Sequence, residues 1–100
     1  MAVYILVTKF SPELMKDIKK REELGQRWRE AVHRNCPSVR FKDHYAILGR
    51  YDFIDIFEAD NEEEAAKVAL ISMVHGATFA ETWTAIPYKR FLDIVRDLKE

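Results

Sequence analysis

The sequence predicts an α+β fold of element order βαββαβ with an extra C-terminal helix, the four strands forming one antiparallel sheet. Three observations carry this. Short β-branched and aromatic runs alternate with longer runs of helical period. Two of the short runs, Val39 to Leu48 and Asp52 to Ala59, are separated only by Gly49-Arg50-Tyr51, a hairpin signal with glycine available for an unusual backbone angle. A chain of 100 residues, 48% hydrophobic and 33% charged, is the size and composition of one packed domain spanning 1–100.

The first strand, Val3 to Phe10, is apolar at both parities, which predicts a central strand covered on both faces. Ser11-Pro12-Glu13-Leu14 reads as a helix start, with Ser11 as N-cap and Pro12 in the first helical position. A helical pattern continues to about Asn35, with Leu14, Ile18, Gly25, Trp28 and Val32 on one face. Arg21 falls in the middle of that stripe and Gly25 weakens it, so a kink or break is expected near Lys20 to Leu24. Cys36-Pro37 stops the helix. After the hairpin, Asp60-Asn61-Glu62-Glu63 resembles a capping box with Asp60 as acceptor. The helix it opens runs to about His75 and ends at Gly76. Its second half, Val68 to Val74, is apolar almost all round, so something besides the sheet should cover it. Ala77 to Ile86 alternates as the fourth strand, and Pro87 opens a helix striped by Tyr88, Phe91, Val95 and Leu98.

Charge, cysteine count and motifs exclude several functions. A net charge of −1 lacks the long-range field of a nucleic-acid binder. The basic residues gather in the first helix, where a solvated face with internal ion pairs explains them. The lone Cys36 forbids an internal disulfide and fits the cytoplasm. No stretch approaches the roughly 20 apolar residues of a membrane span, and Met1 to Phe10 lacks the features of a signal peptide. Without H-x-H, H-x-x-E-H or C-x-x-C spacing, a metal is not expected. No Gly-rich phosphate loop or nucleophile elbow is present either, and no cofactor is expected. His33 and His75 sit where helix C-termini favour a cation.

A sheet of this order has helices on one side, so its other side must be wet or covered. Strand parity places Val3, Ile5, Val7, Ile54, Ile56 and Ala80 in one set, suited to lie beneath helices. The opposite set is then Tyr4, Phe10, Phe53, Phe57, Phe79 and Trp83, joined by Phe41 and Tyr45 if the hairpin register allows. That much apolar surface calls for a second sheet, most simply that of an identical subunit, and predicts a homodimer. Asp55, Glu81 and Asp43 would sit among these rings as proton-transfer groups, as ligand contacts, or paired with cations across the interface. A three-residue loop at Gly49-Arg50-Tyr51 puts Tyr45 opposite Asp55, whereas a two-residue loop puts His44 there. Clustering of the aromatics favours Tyr45.

Leu48-Gly49-Arg50-Tyr51-Asp52-Phe53, followed by an apolar strand, an acidic turn and an Ala-rich helix, resembles the GYD domain family, named for its G-x-Y-D segment. Tyr4-Ile5-Leu6-Val7-Thr8-Lys9-Phe10 and Glu81-Thr82-Trp83-Thr84-Ala85-Ile86-Pro87 are also similar to it. The resemblance implies a ferredoxin-like fold of the dimeric α/β barrel type in a functionally uncharacterised family. It singles out Gly49, Tyr51 and Asp52, either as turn architecture or, for Tyr51 and Asp52, as the lining of a ligand cleft.

The first functional expectation is a small homodimeric binding protein. Its organic ligand would lie against Tyr4, Tyr45, Phe57 and Trp83, anchored by Asp55 and Glu81. The second is a cofactor-independent oxygenase or isomerase using Asp55, Glu81 or His44 as base. The third is a structural dimer with no ligand.

Overall fold

A computed structural model describes residues 1–99. The elements are β1 (Ala2–Phe10), α1 (Pro12–Lys16), α2 (Ile18–Asn35), β2 (Arg40–Ala46), β3 (Phe53–Ala59), α3 (Glu62–Val74), β4 (Ala77–Ala85) and α4 (Tyr88–Asp97). The strands form one antiparallel sheet in the order β2-β3-β1-β4, so β1 is central, as its two apolar faces predict. This is the ferredoxin-like α+β arrangement with an added terminal helix.

The first helical segment breaks earlier than expected, at Asp17 instead of Lys20 to Leu24. Ser11 caps α1, its side chain accepting from the Leu14 N–H at 3.2 Å. Asp17 then serves both helices. Its own N–H donates to the Leu14 carbonyl, and its carboxylate accepts from the Lys20 N–H at 3.0 Å. A side chain that satisfies a free helical N–H is a stronger boundary signal than a low-propensity glycine, so α2 runs unbroken through Gly25. At α3 the cap is Asn61, not Asp60; its side chain accepts from the Glu64 N–H at 2.9 Å. Gly76, at φ +106°, takes the left-handed conformation that ends that helix.

The hairpin register also differs from the favoured one. His44 lies opposite Asp55, Tyr45 opposite Ile54, and the Ile47 N–H bonds the Asp52 carbonyl at 2.9 Å, leaving Leu48 to Tyr51 as the turn. A bulge between Phe41 and Asp43 explains this. It lets Phe41 keep its place opposite Phe57, satisfying the aromatic clustering there. It also shifts the following residues by one, so that His44, and not Asp43, meets Asp55 and two carboxylates do not face each other.

The faces of β1 and β3 are the reverse of those expected, whereas Tyr45, Phe79 and Trp83 keep the helix-free side and Ala80 the core side, as expected. Tyr4, Leu6, Phe57 and Ala59 point toward the helices and form the core with Val32, Cys36, Ala65 and Val68. Val3, Ile5, Ile54 and Ile56 lie on the helix-free side, together with Trp83, Phe79 and Tyr45. Volume accounts for the reversal. The helices bring mainly Ala31, Val32, Ala65 and Val68 to the core, so apart from Trp28 of α2 the larger side chains filling the space between layers come from the sheet. An aromatic chain runs through that layer, Trp28 to Phe41 to Phe57 to Tyr4, with ring centroids 5.3–6.0 Å apart.

Besides the helix-free face of the sheet, two apolar helical surfaces are left without intramolecular cover. On α3, Leu70, Met73 and Val74 are exposed, and no element among the described residues supplies the cover expected for this half of the helix. No residue of α4 is buried, its stripe of Phe91, Ile94, Val95 and Leu98 is open, and the helix makes no extended contact with another element. The molecule is accordingly long, 54 × 30 × 18 Å.

Candidate functional site

A cavity of about 480 Å³ opens between the sheet and the N-terminal half of α2. The Asp17 cap sets where α2 starts and therefore brings Arg21, Leu24, Gly25 and Trp28 over the ends of β1 and β3. Leu14 of α1 and Phe10 of β1 close one end, and Ser72 and His75 of α3 close another. Trp28 is held upright because its indole N–H donates to the Ser72 hydroxyl at 2.7 Å, which in turn donates to the Val68 carbonyl at 3.0 Å. Gly25 leaves room, since a Cβ built on it would meet nothing within 4 Å.

Asp55 is the buried carboxylate of this wall, 3% exposed. Its Oδ1 accepts from the Nδ1–H of His44, which stands half-exposed on the neighbouring strand. An ionised carboxylate can only accept, so the pair fixes the imidazole with its proton on Nδ1 and leaves Nε2 as the remaining ring nitrogen. The bond to Asp55 raises the His44 pKa above the ordinary value, outweighing the desolvation and the nearby Arg29 charge that lower it. Phe53 stacks on the His44 ring, centroids 5.8 Å apart, and Phe10 meets Phe53 edge-on at 5.7 Å. The result is an apolar cleft with an oriented acid–base pair in one wall.

Of the residues expected from sequence, His44 and Asp55 are brought together here. Tyr4 and Phe57 are adjacent in the core, stacked at 5.7 Å and buried, behind the cavity and not lining it. Tyr45, Glu81 and Trp83 lie on the helix-free face. Tyr51 joins them, stacking on Phe79 at 5.8 Å and donating its hydroxyl to Glu81 Oε2 at 3.0 Å, a bond that raises the phenol pKa. Asp52 is a strand clamp. Its carboxylate accepts from the Phe10 N–H at 2.8 Å while its own N–H bonds the Thr8 carbonyl at 2.9 Å. Arg21, Trp28 and Phe53 complete the cavity. The signal for Arg21 was present in sequence as a charge on an otherwise apolar helical stripe. Burial pushes the Cys36 thiol up in pKa, which keeps it protonated. Among the described residues, no three His, Cys, Asp or Glu side chains gather as a metal site, and no helix is long and apolar enough to cross a membrane.

Comparison with known proteins gives three kinds of likeness. The profile of the GYD domain matches residues 4–95. A Thermus thermophilus protein named glutamine synthetase and cystathionine beta-lyase binding protein is 26% identical over 99 residues, covering 99% of this chain and 100% of its own length. Among solved structures, a dimeric ferredoxin-like protein of unknown function from Thermobifida fusca superposes with a TM-score of 0.56 at 12% identity, over 86% of this chain and 90% of that one. A transcriptional regulator of Neisseria meningitidis, solved as its L-Met complex, gives 0.56 at 14% identity, over 86% of this chain and 50% of that one. Likenesses at this identity speak for the fold.

Proposed function

Because the chain belongs to the GYD domain family and carries the cavity described above, we propose that it binds a small organic molecule there and acts as a homodimer. The observation that carries the reading is a 480 Å³ space walled by Phe10, Leu24, Trp28 and Phe53, with the buried Asp55 and its partner His44 set into it. An apolar cleft of that size with a few converging polar groups is the usual form of a small-molecule site. The place of the ligand thus moves from the helix-free face, where sequence put it, to the cleft under α2. The regulator of the same fold that was solved with L-Met accords with a small-molecule role.

The homodimer is supported by the apolar helix-free face, where Ile5, Ile54, Ile56, Phe79 and Trp83 gather, and by the exposed stripe of α4. The dimeric relative from Thermobifida points the same way. The lone cysteine fits the cytoplasm as its setting.

Ligand linkage gives the test. A library of small organic compounds screened by thermal shift should contain members that raise the melting temperature of the wild type. Gly25→Leu, which fills the cavity from a position with open space, should abolish those shifts. Shifts that survive Gly25→Leu would put the site elsewhere, and a library that leaves the wild type unmoved would favour a ligand-free structural dimer.

The oriented His44–Asp55 pair supports a second reading, a cofactor-independent oxygenase or isomerase with His44 Nε2 as general base. Turnover lost in Asp55→Asn with binding retained would select it.

A further inference from the structure

We infer that the ligand of the α2 cavity is an organic monocarboxylate with an apolar body, its carboxylate received by Arg21; this rests on the binding reading above. Arg21 occupies a position on α2 that the helix otherwise reserves for apolar contacts, on the same stripe as Leu24, Gly25 and Trp28. Arg21 lines the side of the cavity, and its Nε, buried behind that lining, donates to nothing. Among the described residues no carboxylate stands within ion-pair distance of its guanidinium, although surface ion pairs form elsewhere, at Lys42–Glu58 and Arg96–Asp93. A guanidinium N–H removed from water without an acceptor is costly, and a bound water, ion or ligand group that the side chain can turn toward removes that cost.

The other charges of the lining narrow the ligand to one negative charge. Asp55 is engaged by His44, and at a pH where His44 is protonated the two cancel. Glu22 and Arg29, both exposed at the rim, offset one another in net charge. Arg21, half-buried where Arg29 is exposed, is left as the cation held against the cavity. Its planar fork matches the two oxygens of a carboxylate, and a charge-assisted pair of hydrogen bonds is about twice as strong as neutral ones. Phe10, Leu24, Trp28 and Phe53 then offer an apolar slot for the remainder of the molecule, which suits an aromatic or branched aliphatic acid.

The experiment measures affinity by calorimetry for pairs of compounds differing only at the acidic group: benzoate against benzamide, indole-3-acetate against indole-3-acetamide, 4-methylpentanoate against its amide. In the wild type, at least one carboxylate should bind about tenfold or more tightly than its amide. Arg21→Gln should erase that preference while leaving the amide's affinity within about twofold, and Arg21→Lys, which keeps the charge but not the fork, should retain part of it. Gly25→Leu should weaken both members of the pair. Equal affinity for acid and amide in the wild type would overturn the assignment of a carboxylate while leaving the cavity as a binding site. A preference that survives Arg21→Gln would overturn the role of Arg21. If no member of any pair binds the wild type at millimolar concentration while thermal shift finds neutral ligands that Gly25→Leu abolishes, the inference fails and the binding reading stands. If neither experiment finds a ligand, both fail together.

Discussion

The imidazole of His44 and the carboxylate of Asp55 set the pH response of the site. The bond between them raises the folded-state pKa of His44 above its unfolded value. The pair therefore stabilises the fold fully below the unfolded value of about 6.5, and its contribution fades as the pH rises through the folded one. Asp55→Asn removes the carboxylate, so the His44 titration midpoint, followed by NMR, should drop. The stability difference between wild type and Asp55→Asn in urea should be larger at about pH 5 than at about pH 8.5, which bracket the imidazole range. A midpoint unchanged by the substitution would show that the pair does not form. The partnership was legible only as one of two registers, because parity and loop length decide which residue faces Asp55 and neither betrays a bulge.

Among the elements, β1 depends on a contact made from outside it. The Asp52 carboxylate takes the Phe10 N–H and the Asp52 backbone takes the Thr8 carbonyl, so the hairpin's turn holds the end of the central strand where the cavity begins. Asp52→Ala leaves a partly buried N–H without its charged acceptor. It should cost about 1.5–3 kcal/mol in chemical denaturation, the range for bonds to charged groups. Asp52→Asn, which keeps an acceptor, should lose less. The G-x-Y-D segment thus carries architecture at Asp52, while Tyr51 is spent on Phe79 and Glu81 across the sheet. Element order, the four strands and the terminal helix could all be read from periodicity and turn residues, which are local properties. The break at Asp17 was harder to place because an aspartate inside an amphipathic run looks like an exposed charge until its cap is seen.

For the molecule as a whole, the assignment of faces was the part that sequence could not deliver. Alternation sorts residues into two sets without saying which set the helices cover, and here both sets are apolar. The answer came from volume, with small helix residues at the core and aromatics rising from the sheet to meet them. The proposal of a companion chain survives that exchange, because Ile5, Ile54 and Ile56 take the place of Tyr4, Phe53 and Phe57 on the open side, where Trp83 stays as expected. Wild-type protein should elute in light-scattering chromatography at the mass of two chains or a multiple of it. Ile56→Glu, which puts a charge in the middle of that face, should shift the population toward the monomer while leaving the far-ultraviolet circular dichroism unchanged. A wild type that stays monomeric at high concentration would remove the homodimer from the proposal.

Cys36 closes α2 with a buried, protonated sulfur, and it is the single cysteine of the chain. An alkylating reagent can reach it only when that end of the helix lifts from the sheet, so the labelling rate clocks the opening of this region without any engineered probe. A compound seated beneath the N-terminal half of the same helix would slow that clock to the extent that α2 lifts as one unit, giving occupancy a chemical signature in unmodified protein.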